Sequence, residues 1–202
     1  MNRMHLGAAI ATVALAATAA NAGMSYTGGG GLLNEDTPIL VSDIVVPDSF
    51  AITDVTVTLD NLTHSWMGDL VATIEHVESG TAVTLFQNIG GGAFGDSTDF
   101  GGTYGFNDAF TGDIWAEAAA LDGAGVLPSG EYFASDETGA QTFLSAFNGI
   151  DSAGTWRLTI EDTFPTLDDG ELGAWSVTIV PAPGAFALLG LAGLAGARRR
   201  RG

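Results

Sequence analysis

Apolar residues alternate with hydroxyl or charged residues in short runs, and glycine-containing turns separate the runs. This pattern constrains the chain most. In Val55-Thr56-Val57-Thr58-Leu59 the period is two and the composition β-branched, as a half-buried strand requires. In Gly154 to Glu161, Trp156, Leu158 and Ile160 fall on one side, and Arg157, Thr159 and Glu161 on the other. Ala174 to Ile179 repeats the scheme, with Trp175, Val177 and Ile179 inward. Ile39 to Val46 is a further strand, stopped by Pro47; Leu70-Ala72-Ile74 and Val83-Leu85 form a hairpin through Ser79-Gly80. Other turn signals are Gly90-Gly91-Gly92, Gly101-Gly102, Asp122-Gly123, Ser129-Gly130 and Asp169-Gly170. Only Trp115 to Leu121 suits a short helical turn. The expected class is all-β, an antiparallel sandwich with Trp156 and Trp175 in its core. Residues 23–38, with their glycine run Gly28 to Gly31, read as a flexible lead-in to a domain at 39–180.

Both ends depart from this pattern. The first 22 residues combine Arg3, an apolar run from Leu6 to Ala20, and the small-x-small site Ala20-Asn21-Ala22. That is the form of a secretory signal helix cut by signal peptidase before Gly23. The last segment, 181–202, has Pro181 and Pro183, an apolar stretch from Ala185 to Ala197, and the cluster Arg198, Arg199, Arg200 and Arg201. The stretch is marginal as a permanent membrane span, crossing with little tilt, and the arginines hold the C-terminus on the cytoplasmic side. This tail resembles the PEP-CTERM sorting signal of Gram-negative bacteria, carried here by Val180-Pro181-Ala182-Pro183, with Ala182 where the family has Glu. The resemblance implies a transient inner-membrane anchor, an exosortase-like processing enzyme, and delivery to the envelope surface or extracellular matrix.

Charge narrows the partners. The chain has 24 acidic and 6 basic side chains and a net charge of -18. All 24 acids lie from Glu35 to Glu171, while Arg157 is the one basic side chain between the two end segments. Phosphate contacts need clustered cations, so nucleic acid is not an expected partner. There is no cysteine and no lysine, which removes thiolate metal sites and thiol or Schiff-base chemistry. Hydrophobic residues at 46% exclude a disordered chain.

An ordered set of motifs runs through the domain. Ile52 to Val57 leads to His64-Ser65-Trp66-Met67-Gly68-Asp69-Leu70, then Ser79-Gly80-Thr81, Phe106-Asn107-Asp108-Ala109 and Leu144 to Gly149. Gly154-Thr155-Trp156-Arg157-Leu158, Asp162, Asp169-Gly170-Glu171-Leu172 and Trp175-Ser176-Val177 complete it. The set resembles the P domain (Homo B domain) of proprotein convertases and bacterial subtilisin-like proteases, with Glu78 where the family has Pro. The resemblance implies a galactose-binding-like jelly roll that packs on a catalytic domain and carries none of its catalytic triad.

Candidate chemistry is sparse. Ser65, His64 and Asp69 invite a triad reading, but no Gly-x-Ser-x-Gly elbow occurs and the resemblance makes His64 structural, so an enzyme is not expected. No cofactor is required. Calcium takes six to eight oxygens, and Asp69, Asp108, Asp162, Asp168 and Asp169 are the carboxylates that loops could bring to one. Trp66, Trp115 and Tyr104 are candidates for stacking on a sugar. Asn61-Leu62-Thr63 matches a glycosylation acceptor by chance. The expected function is an exported, non-catalytic module that binds a matrix polysaccharide or surface protein. An accessory module for a subtilisin-like protease ranks second, and a hydrolase of matrix polymers third.

Overall fold

The computed structural model describes residues 22–183. The bulk of the signal segment, including Ala20, and the tail from residue 184 to Arg198–Arg201 lie outside the described residues. Among the described residues no helix is long and apolar enough to cross a membrane.

Among the described residues nine strands form two sheets: β1 (Met24–Leu33), β2 (Ile39–Val46), β3 (Ile52–His64), β4 (Leu70–His76), β5 (Thr81–Gln87), β6 (Phe100–Phe106), β7 (Gly130–Tyr132), β8 (Gly154–Asp162) and β9 (Gly170–Pro181). One sheet runs β1-β9-β3-β6-β7 and the other β2-β8-β4-β5. Neighbours are antiparallel except β6 and β7, which are parallel. The strands alternate as expected. Val55, Val57 and Leu59 of β3, Trp156, Leu158 and Ile160 of β8, and Trp175, Val177 and Ile179 of β9 are buried between the sheets. Phe147 tilts against the Trp156 indole at a centroid distance of 4.9 Å, closing the core on one side. Helix α1 (Ile114–Leu121) replaces the expected helical turn; the Asp113 carboxylate caps it by accepting from the Trp115 and Ala116 N–H groups.

The expected lead-in is instead β1, an edge strand paired with β9 from Met24↔Ile179 to Leu33↔Gly170. Its glycines are packing devices. A Cβ at Gly28 would strike the Trp175 indole, and one at Gly30 would strike the Leu172 carbonyl. The bare backbone lets β1 lie directly over the indole, whose Nε1–H donates to Ser42 Oγ at 2.8 Å; that hydroxyl donates to Gly29 O at 2.6 Å. Pairing in β1 begins at Met24, and Gly23 lies beside Thr178 and Val180 near the end of β9. There Pro181 is buried, opposite Ile52, and the Ala182 N–H donates to Ala51 O at 2.8 Å.

The antiparallel pairing gives the sandwich two poles. The terminal pole holds the first residue of β1, the last of β9, and the β2–β3 and β4–β5 connections. The loop pole holds 34–38, 65–69, 88–99 and 163–169.

Candidate functional site

The loop pole gathers most of the sequence candidates. His64 ends β3 and Asp162 ends β8, so the two sheets bring these side chains together; both are buried. Nε2 of His64 lies 3.3 Å from Asp162 Oδ2. Nδ1 lies 2.9 Å from Trp66 O and 3.2 Å from Trp66 N, so the ring bridges the 65–69 turn and the end of β8. Asp162 Oδ1 accepts from the Phe164 N–H at 2.9 Å, which opens the 163–169 loop.

Asp69 sits in the 3-10 turn Met67–Asp69 and is 7% exposed. Burial, reinforced by the neighbouring Asp162 and Asp168 carboxylates, pushes its pKa up to about 6 against the partial relief of His64. Its carbonyl accepts from both N and Oγ1 of Thr163, at 2.8 and 2.7 Å, tying the turn to the 163–169 loop.

The other candidates are scattered. Ser65 Oγ donates to Asp168 Oδ1 at 2.8 Å, away from His64, so the triad reading has no nucleophile–base contact. Asp169 lines a shallow polar groove with Glu35, Asp36 and Leu167. Asp108 lies at the opposite pole, where its two oxygens accept from the Leu144 and Ser145 N–H groups at 2.7 and 3.0 Å. The five expected calcium ligands are thus divided between two poles. Among the described residues, no three His, Asp or Glu side chains converge on a point that would hold a metal ion.

The aromatic candidates also part. Tyr104 is wholly buried, its hydroxyl donating to Leu127 O at 3.0 Å, and so is a core residue that no sugar reaches. Trp66 and Trp115 are partly exposed, and Trp66 Nε1–H donates to Phe94 O at 2.6 Å. Around this pole Phe94 (67% exposed), Phe164 and Leu167 (81%) present apolar side chains to solvent.

Sequence reasoning missed a second concavity. On the outer face of the five-stranded sheet a groove of about 360 Å³ is bounded by Thr58, Gly105, Phe110, Ser129 and Glu131. The signal for it lay in the outward hydroxyl positions of Thr56-Val57-Thr58, together with glycine where a neighbouring strand would otherwise carry a side chain. Glu78 stands in the β4–β5 turn. Its Oε2 accepts from the Thr155 N–H at 2.7 Å, which holds its carboxyl below the usual range.

Solved structures similar to the chain include two of one bacterial protease. One is the crystal structure of the Aeromonas sobria serine protease and chaperone (ORF2) complex, at 13% identity and a TM-score of 0.48, covering 78% of this chain and 26% of that one. The other is the Aeromonas sobria serine protease, at 13% identity and a TM-score of 0.45, with the same coverage. This chain therefore spans well under half the length of either. No family model matches the sequence, and no curated protein matches it.

Proposed function

We propose that the chain is an exported, non-catalytic binding module, a P-domain-like jelly roll whose loop-pole polar residues maintain the fold. One observation carries this reading. The side chains that would serve catalysis are engaged by other groups of the chain: His64 by Trp66 and Asp162, Ser65 by Asp168, and Asp108 by a backbone turn. What remains accessible is surface. Export follows from the Arg3-to-Ala22 pattern, and sorting to the envelope or matrix from the proline motif and Arg198–Arg201, with signal peptidase and an exosortase-like enzyme as processing partners. Intact mass from native fractions tests export. A species beginning at Gly23 and ending near Pro183 is the expected product; a mass retaining both end segments contradicts it.

A second reading, an accessory module for a subtilisin-like protease, is favoured by the exposed Phe94, Phe164 and Leu167. Apolar side chains clustered at one pole suit a protein partner. Co-purification of a protease from native envelopes, lost on Phe94→Ser with Leu167→Ser, supports docking there. Undiminished capture by that double variant removes it.

A further inference from the structure

The outer face of the five-stranded sheet differs from the rest of the surface. At two successive registers its outward side chains are Ser25, Thr178 and Thr56, then Thr27, Ser176 and Thr58, aligned across β1, β9 and β3. Neighbouring strands lie about 4.8 Å apart and alternate residues about 7 Å apart, so the six hydroxyls form a regular two-by-three field. Thr56 Oγ1 accepts from Asn107 Nδ2 at 3.0 Å. The other five hydroxyls make no hydrogen bond to the described chain.

The second row continues through the groove. Thr58 pairs with Gly105, and Gly105 with Glu131. Gly105 forms a floor without a side chain. A Cβ there would lie 3.4 Å from Phe110 Cε2 and 3.9 Å from Glu131 Cγ, so both side chains border the space the glycine leaves open. From Thr27 to Glu131 the row crosses five strands, about 19 Å.

We propose that this face binds a neutral polysaccharide, with one sugar ring seated against Phe110 and the polymer continuing along Thr58, Ser176 and Thr27. A serine or threonine hydroxyl both donates and accepts, so it meets a sugar hydroxyl in either orientation and buries no charge on doing so. Phe110 offers a ring face for the apolar C–H side of the sugar, and Glu131 accepts from its hydroxyls. The groove's volume lies within the range of small-ligand sites. Charge selects among polymers. The chain carries 24 acids, and Arg157, the one basic side chain of the described domain, is held by Asp43 on the other sheet, so a polyanion is repelled and a neutral chain is not. The site deepens the binding-module reading and rests on it for where the polymer is met, but its chemistry is testable without export.

The test is retention of the purified full chain on insoluble neutral glucan, galactan and mannan, with polygalacturonate as the anionic control. Retention on at least one neutral polymer and none on polygalacturonate is expected. Phe110→Ala, Gly105→Leu and Thr58→Glu each lower it about tenfold or more. Thr159→Glu, on the outer face of the other sheet, leaves it unchanged. Thermal unfolding of every variant checks that the fold persists, and Phe110→Ala, which removes only a half-exposed ring, keeps the test open if Gly105→Leu misfolds. No retention on any neutral polymer overturns the proposal. So does retention that Phe110→Ala and Thr58→Glu leave intact, or retention confined to polygalacturonate. None of these results bears on processing, which the intact mass reads separately.

Discussion

His64 and His76 are each 2% exposed and close opposite poles of the same sandwich, yet their surroundings differ in kind. At the loop pole His64 faces the buried carboxylate of Asp162, with Asp69 close by. At the terminal pole His76 has neutral partners. Its Nδ1 lies 3.0 Å from Ser79 Oγ, its Nε2 3.2 Å from Ala153 O, and its ring meets Trp156 edge-on at 5.1 Å. The nearest carboxylate, Glu78, is half exposed and 3.9 Å away. One pole is therefore held by coupled ionisable groups, the other by neutral hydrogen bonds around an aromatic core. An isolated charge is far more costly to bury than a neutral polar group, so the loop pole depends on its pairings and the terminal pole tolerates loss.

The comparison breaks if the two histidines prove equivalent. His64→Leu leaves Asp162 buried without its partner and should cost about 3–5 kcal/mol in urea unfolding. His76→Leu forfeits two neutral contacts while leaving no stranded charge, and should cost about 1–3 kcal/mol. Equal losses would mean that the Asp162 charge is not what sets the poles apart.

Asp69 sharpens the contrast through pH. Its folded pKa, about 6, stands above its ordinary value of 3.8. The folded state therefore takes up the proton more readily, so this group's contribution is fully present below pH 3.8 and is lost as pH rises through about 6. Wild type should gain stability relative to Asp69→Asn as pH falls from neutral to 4, and Asp69→Asn should be the more stable of the two at neutral pH. Parallel pH profiles for the two proteins would place Asp69 outside the coupled group.

The smallest effect belongs to Asp43 and Arg157, joined at 2.8 and 2.9 Å on the exposed face of the four-stranded sheet. Solvent screens such a pair, so Asp43→Asn should barely move the unfolding midpoint, and by less as salt rises. A loss comparable to that of His76→Leu would mean that surface pairing stabilises this acidic domain as much as its poles do.

How much the sequence revealed follows from what each strand buries. Strands β3, β4, β8 and β9 alternate apolar and polar residues because one face meets the core, and period two displays them; β2 and β5 were legible as β-branched and apolar runs bounded by turns, and β2 leaves Ile39, Val41 and Val45 exposed. Strand β1 was hidden because its inward positions include Gly28, where the neighbouring Trp175 fills the space that a side chain would take. Strand β6, Phe100-Gly-Gly-Thr-Tyr-Gly-Phe, suffered the same way, and Tyr104 looked exposed beside so many glycines although it is core. Strand β7 has three residues, too few for any period to show. At the site, His64 was legible as the last residue of a strand, but its partner Asp162 lies 98 residues away and becomes adjacent only when the sheets pack. The carboxylates looked like one calcium set because sequence shows how many acids loops carry, not to which pole each loop turns. Asp108 shows the difference: it caps a turn at the terminal pole, remote from Asp69 and Asp162.

The most direct test is a double-mutant cycle between His64 and Asp162, using His64→Gln, Asp162→Asn and the pair, read by urea unfolding. The account predicts that the single variants are destabilised and that the pair is coupled by more than about 1 kcal/mol. It also predicts that each variant, while folded, keeps the retention of wild type on neutral polysaccharide. Additive effects near zero, or an intact fold that loses binding, would contradict it and make His64 and Asp162 a functional site rather than the fastening of the loop pole.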